Sequence, residues 1–244
     1  MALRDALEQG LSVASAIARV RVGETYDASS LMLQLSGFDP ERAARVAEGA
    51  LAMRSLEGAV ADVLLPALDE IGRRYGGDSV EWAFAARWVS DWLRWTQRLA
   101  MPGQHRVRLL VVDATRHDRE PDAIRLDALS LFLVRAGGEL LTFPLTARQG
   151  LEAMVRRLRP AATVVVGQGG SDEQVAEFAA AARAFEARPL AFYRRYVTER
   201  TPGVAILVDA PLEAHRQLLR LAAGEPLGQP RPEYDSDLRR AASQ

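Results

Sequence analysis

A change of apolar period near Gly103 constrains this chain more than any other feature. Beyond it come short runs rich in β-branched or aromatic residues: RVRLLVVDA (106–114), ELLTF (139–143), ATVVVG (162–167), PLAFY (189–193) and VAILVD (204–209). Stretches of helical spacing lie between and after them, at 122–135, near 147–158, near 171–185 and at 211–222. A short apolar run followed by about a dozen residues of helical period is the pattern of a parallel strand and its crossover. It predicts an open, mostly parallel Rossmann-like (flavodoxin-like) sheet with helices on both faces.

Up to about residue 101 the spacing is helical. Asp39 precedes Pro40, the order of an N-cap and a proline at the first helical position. EGALAMRSLEGAVADVLLPALDEIGRRYGG reads as one long helix kinked or broken near Pro66, or as two, stopped by Gly76-Gly77. Asp78 or Ser79 would cap the next helix, which Pro102-Gly103 closes, and Ser12 could cap a short helix through Val20. Four or more helices with short connections suggest a bundle. The expected fold class is therefore α/β with an N-terminal all-α part. Its divisions are a helical or linker segment at 1–25, a helical bundle at 26–102, a Rossmann-like domain at 103–223 and a flexible tail at 224–244.

Composition excludes several chemistries. All 31 basic residues are arginine, which rules out lysine Schiff bases and a P-loop lysine. With no cysteine there is no thiol nucleophile or thiolate metal site. His105, His117 and His215 lie far apart, without the spacing of a zinc site. A net charge of −1 gives no general pull toward nucleic acid, and no DNA-binding motif is visible. Neither a membrane-length apolar run nor a signal peptide is present, so a cytoplasmic location is expected. Asp113, Asp118, Glu120 and Asp122 could hold magnesium or act as bases, but a solvated acidic loop is the favoured reading. The dinucleotide glycine fingerprint and a supported Ser-His-Asp arrangement are both missing, and the chain reads as a non-enzyme.

VEWAFAARWVSDWLRW (80–95) holds all four tryptophans. At 100° per residue Trp88, Trp92 and Trp95 fall within about 60° and form one stripe, with Trp82 more than about 90° from its centre. The stripe is either bundle core or a self-association face, or else the wall of a crevice for an aromatic, tetrapyrrole-like ligand. Exposed indoles would favour a protein-binding or dimer face.

LLPALDEIGRRYGGDSVEWA and LDALSLFLVRAGGELLTFPLTARQGLEAMVRRLRPAATVVVG are similar to the cobalamin-binding module of corrinoid methyltransferase proteins and of light-sensing MerR-type repressors. The resemblance covers roughly residues 40–222. ALEQGLSVASAIARVRVGE also resembles the segment that joins a MerR-type DNA-binding domain to its bundle. In that family a D-x-H-x-x-G loop supplies the lower cobalt ligand. Here the loop is DATRHDREPDAIR, with Asp122 at the histidine position and Arg125 at the glycine. A carboxylate is a poor soft-metal ligand, and His117 is the imidazole of this loop. The family's serine after the third strand falls near Gly167 of GQGGS, and Gly169 belongs to the same small loop. Arg194-Arg195 replace the glycine pair that admits the nucleotide tail. Tyr75 takes the place of the upper-face tryptophan, and the Glu-His pair of light-sensing members falls on Ala83 and Phe84.

The resemblance with altered ligands implies a non-catalytic regulatory or sensor module, in transcription control, that has lost usual base-off cobalamin binding. It would act through a ligand, a regulatory protein partner or homo-oligomer formation. Candidate ligand-binding residues are Tyr75, Phe84, Trp88, Trp92, His117, Asp122, Gly167 and Gly169, with no metal site. The alternatives are a sensor for another tetrapyrrole (bilin, haem or atypically bound cobalamin) and a corrinoid carrier of a methyltransferase.

Overall fold

The computed structural model describes residues 25–100, 107–146, 151–185, 189–194, 203–225 and 227. The expected Ser12–Val20 helix, Arg195, His105 and most of the C-terminal tail lie outside the described residues.

The all-α part begins with α1 (Ala28–Ser36) and α2 (Pro40–Met53), followed by α3 (Leu56–Ala59), a wide turn at Val60–Leu64, α4 (Leu65–Tyr75) and α5 (Val80–Leu99). Side-chain caps set several of the starts: Asp27 accepts from Ser30 N–H, Asp39 from Arg42 N–H, Ser55 from Gly58 N–H and Ser79 from Trp82 N–H. Short connections make the helices alternate in direction, and the ring of Phe38 in the α1–α2 turn meets Phe84 edge-on at 5.4 Å. The end of α1 thus sits beside the beginning of α5. Tyr26 anchors the other end of α1 against α2, where its ring lies over Gly49 and its carbonyl accepts from Arg54 at 3.1 Å.

The expected kink or break at Pro66 is replaced by the wide turn. Leu65 N–H donates to the Val60 carbonyl, five residues back, and α3 runs into α4 without interruption. A proline ring inside an α-helix collides with the carbonyl four residues earlier. Widening the preceding turn relieves that collision and keeps the rod continuous.

The α/β part follows as β1 (Val107–Asp113), α6 (Pro121–Arg135), β2 (Gly138–Pro144), α7 (Leu151–Leu158), β3 (Ala162–Val166), α8 (Asp172–Phe185), β4 (Leu190–Tyr193), β5 (Val204–Ile206) and α9 (Pro211–Ala222). All five strands are parallel, in the order β2-β1-β3-β4-β5. Side chains alternate across the sheet. Leu109, Val111, Val164, Val166, Ala191 and Tyr193 face α6 and α9, whereas Leu110, Val112, Val165 and Phe192 face α7 and α8. The strand order reverses direction between β1 and β3, so the open crevice of such a sheet lies at their carboxyl ends.

α6 joins the two parts. Leu126, Leu129 and Leu133 pack on the sheet, while Ile124, Ala128, Leu131 and Phe132 belong to the core of the bundle. A helix apolar nearly all round has to be covered on both sides. Polar ties reinforce the join: Arg125 donates to Asp69 at 2.7 Å, Arg135 to Glu57 at 2.8 Å, and Ser90 and Arg94 to Asp127 at 2.5 and 3.1 Å. Burial pushes the Asp127 carboxyl above its ordinary range, against the pull of Ser90 and Arg94. No helix among the described residues is long and apolar enough to cross a membrane.

On the far side of α6, the ring of His215 in α9 packs 5.7 Å from Phe132. Burial lowers its pKa from 6.5, outweighing the hydrogen bond to the Leu212 carbonyl. A histidine kept neutral in the fold adds stability that is full above its unfolded pKa and declines as pH falls through that value toward the lower folded one. The melting temperature is therefore expected to drop between about pH 7.5 and 5.5, and the drop should be shallower in His215→Phe. Equal slopes in differential scanning calorimetry would remove His215 as the cause.

Candidate functional site at the seam of bundle and sheet

The loop after β1 is shaped by its own polar side chains. Asp113 accepts from Thr115 N–H at 2.8 Å and from its hydroxyl at 2.6 Å, turning the chain away from the strand. Glu120 accepts from Arg116 N–H at 2.8 Å and His117 Nδ1 from Arg119 N–H at 3.3 Å. The last anchor comes from the bundle, where Trp82 Nε1 donates to the Arg119 carbonyl at 3.0 Å. Trp82 is only 4% exposed, and its ring lies so close over Gly72 that a Cβ there would sit 2.9 Å from Cζ3.

Between this loop and the start of α5 lies a cleft of about 570 Å³, walled by Trp82, Ala83, Ser79, His117, Asp118 and Arg119, among others. A neighbouring polar recess of about 310 Å³ is lined by Arg94, Asp113, Thr115, Asp118 and Asp127, with further residues of β2, α5 and α6. No cluster of three or more metal-ligating side chains occurs among the described residues.

At the carboxyl edge of the sheet Arg194 bridges two carboxylates, those of Asp122 and Asp209. Asp122, in the first turn of α6, is 6% exposed. It accepts from Arg194 Nε, and Arg194 Nη1 reaches on to Asp209. Arg194 holds this position from a left-handed backbone, φ 61°. Burial disfavours its charge, but the Asp122 hydrogen bond and the two carboxylates outweigh that and keep its pKa above the ordinary value. Tyr193 OH donates to the Asp209 carbonyl at 2.9 Å, and burial raises the pKa of that hydroxyl.

The glycine loop after β3 closes against the loop after β1. Gly167 has φ 101° and Gly169 N–H donates to the Ala114 carbonyl. A Cβ on Gly169 would stand 2.3 Å from that oxygen. Gly169→Ala is expected to cost about 1–3 kcal/mol through the forced shift of one loop, measured by urea unfolding; an unchanged midpoint would mean the loops separate freely.

Of the sequence-derived candidates, His117 lines the cleft, while Asp122, Gly167 and Gly169 sit along the sheet edge in the contacts above. Tyr75, Phe84, Trp88 and Trp92 do not line that cleft. Tyr75 is 38% exposed beneath the guanidinium of Arg74, Phe84 meets Phe38, and Trp88 and Trp92 rest half-buried on the bundle. The residues missed by sequence reasoning are Trp82, Arg119 and Asp209. Trp82 could have been found from its line with Ala85, Ala86, Val89 and Leu93, a second apolar face of α5 at helical spacing.

No family model matches this chain, and no curated protein does. Among solved structures the chain is similar to a cobalamin-binding protein from Desulfitobacterium hafniense DCB-2, with 11% identity, 81% of this chain and 99% of that one covered, and a TM-score of 0.42. It is also similar to the methanol:cobalamin methyltransferase complex from Methanosarcina barkeri, with 10% identity, 80% and 79% covered, and a TM-score of 0.37.

Proposed function

We propose that this chain is a non-catalytic regulatory module built on the cobalamin-binding fold, working in cytoplasmic transcription control through a protein partner or a second copy of itself. Base-off cobalamin binding is lost in this reading. One observation carries it: Asp122, at the position of the family's lower ligand, is committed to Arg194, which stands at the position of the glycine that admits the nucleotide tail. A buried carboxylate already paired with a guanidinium is a poor donor for cobalt. The Gly169–Ala114 contact supports the same reading, because it takes up the room between the two loops. These residues do not fit a corrinoid bound base-off.

The test is an absorption spectrum of the purified chain after incubation with hydroxocobalamin or adenosylcobalamin and gel filtration, together with light scattering over a concentration series. The expected result is no retained corrin band and a mass that rises with concentration or on adding the partner. A stoichiometric corrinoid that survives gel filtration would overturn it.

A second reading draws on His117, which lines the same cleft as Trp82. There an imidazole and an indole could receive haem, a bilin or cobalamin in an atypical mode. A haem or biliverdin band that is lost in His117→Ala selects this reading. Retained cobalamin lost in the same variant selects the corrinoid carrier instead.

A further inference from the structure

α5 carries two apolar faces. The first, with Trp82, Ala85, Ala86, Val89 and Leu93, is buried in the bundle. The second runs Phe84, Trp88, Trp92, Trp95, Leu99 at steps of three and four residues, a single line along the helix. Its cover fades along its length. Phe84 is met by Phe38, Trp88 and Trp92 are half-buried, and Trp95 and Leu99 are 60% and 62% exposed.

The cause is a mismatch of helix lengths. α1 has 9 residues and α5 has 20, so their lengths are about 13 Å and about 30 Å. The two run in opposite directions from a shared end at Phe38 and Phe84. The first residue of α1 therefore falls partway along α5, and the anchoring of Tyr26 over Gly49, inside α2 rather than at its end, marks the same level. Past that level α1 has nothing to lay over Trp95 and Leu99. The chain that leads into α1 is residues 1–24, which lie outside the described residues. Its stretch SVASAIARVRVGE (12–24) places Val13, Ile17 and Val20 on one side of a helix.

We infer that residues 12–24 of the same chain dock on the second half of α5, with Ile17 and Val20 covering Trp95 and Leu99. Occupancy by the chain's own segment is favoured over a second copy. The connection to Tyr26 is a few residues long, and so short a tether holds the segment at high effective concentration beside the face. The inference stands apart from the cobalamin reading and involves none of its residues.

The natural chain has no cysteine, which makes a paired-cysteine test clean. Full-length chains carrying Leu99→Cys with Val20→Cys, or Leu99→Cys with Ile17→Cys, are treated with a short bis-maleimide in dilute solution. A cross-linked monomer of altered gel mobility is expected from at least one pair, and none from Glu41→Cys with Val20→Cys. In parallel, Ile17→Asp with Val20→Asp should red-shift tryptophan emission and open an indole to iodide, with neither change in a Trp95→Phe background. Circular dichroism checks that each variant keeps its helices. Cross-linked dimers would assign the face to a second copy and overturn the inference. Absence of any product, or unchanged emission, would do so as well.

Discussion

Arg194→Met is expected to lower the free energy of unfolding by about 3–5 kcal/mol, the cost of leaving a buried ion without its partner. Asp122 has almost no contact with solvent, and Arg194 forms an ion pair with it. Methionine keeps the volume of the stem and faces the same left-handed backbone, so the charge is what changes. The loss is a large share of the roughly 5–15 kcal/mol that holds a domain of this kind together. Asp122→Asn in the same background should recover most of it, because a neutral amide need not be compensated. Asp209→Asn alone should cost about 1 kcal/mol or less, since that carboxylate is 70% exposed. Urea denaturation of the four chains closes the comparison. If Arg194→Met unfolds at the native midpoint, the bridge is not what closes the sheet edge.

Trp82→Ala is expected to cost about 3–5 kcal/mol, the range for emptying a large aromatic from a core. The hole would be poorly refilled, because Gly72 on the facing helix has no side chain to move into it. Trp82→Phe separates the ring from its N–H. Most of the packing survives and the Arg119 carbonyl loses its donor, a penalty of about 1 kcal/mol. Its clearest readout is local. Trypsin cuts only after arginine in a chain without lysine, and cleavage after Arg116 or Arg119 should become faster in Trp82→Phe than in the native chain. Unchanged cleavage would show that Asp113, His117 and Glu120 hold the loop without Trp82.

The architecture was largely legible in the residues. Buried parallel strands demand continuous apolar runs, and those runs sit where the strands are. β5 is shorter than VAILVD suggests, because Val208 N–H donates to the Gln217 side chain instead of a neighbouring strand and Asp209 turns to Arg194. The α5 stripe shows a limit of periodicity. Spacing identifies which residues share a face, yet α5 has two such faces, and the one with smaller side chains became the core. Bulk misleads there, since close helix packing favours alanine as readily as tryptophan. Asp122 and Arg194 are 72 residues apart. No local pattern links them, and only the sheet order brings the ends of β1 and β4 to a common edge.

The wide turn before Pro66 has a bearing on how this chain tolerates changes of length. A turn bonded five residues back holds one residue more than the α-helical turn it replaces. Removing a single residue from 60–64, together with Pro66→Ala so that no ring meets the carbonyl four residues back, would restore ordinary winding and leave both flanks in phase. The same deletion elsewhere in the rod would spin everything beyond it by about 100°, and Asp69 would swing away from Arg125. The bulge is thus the one place where that helix can shed a residue without unfastening the bundle from the sheet.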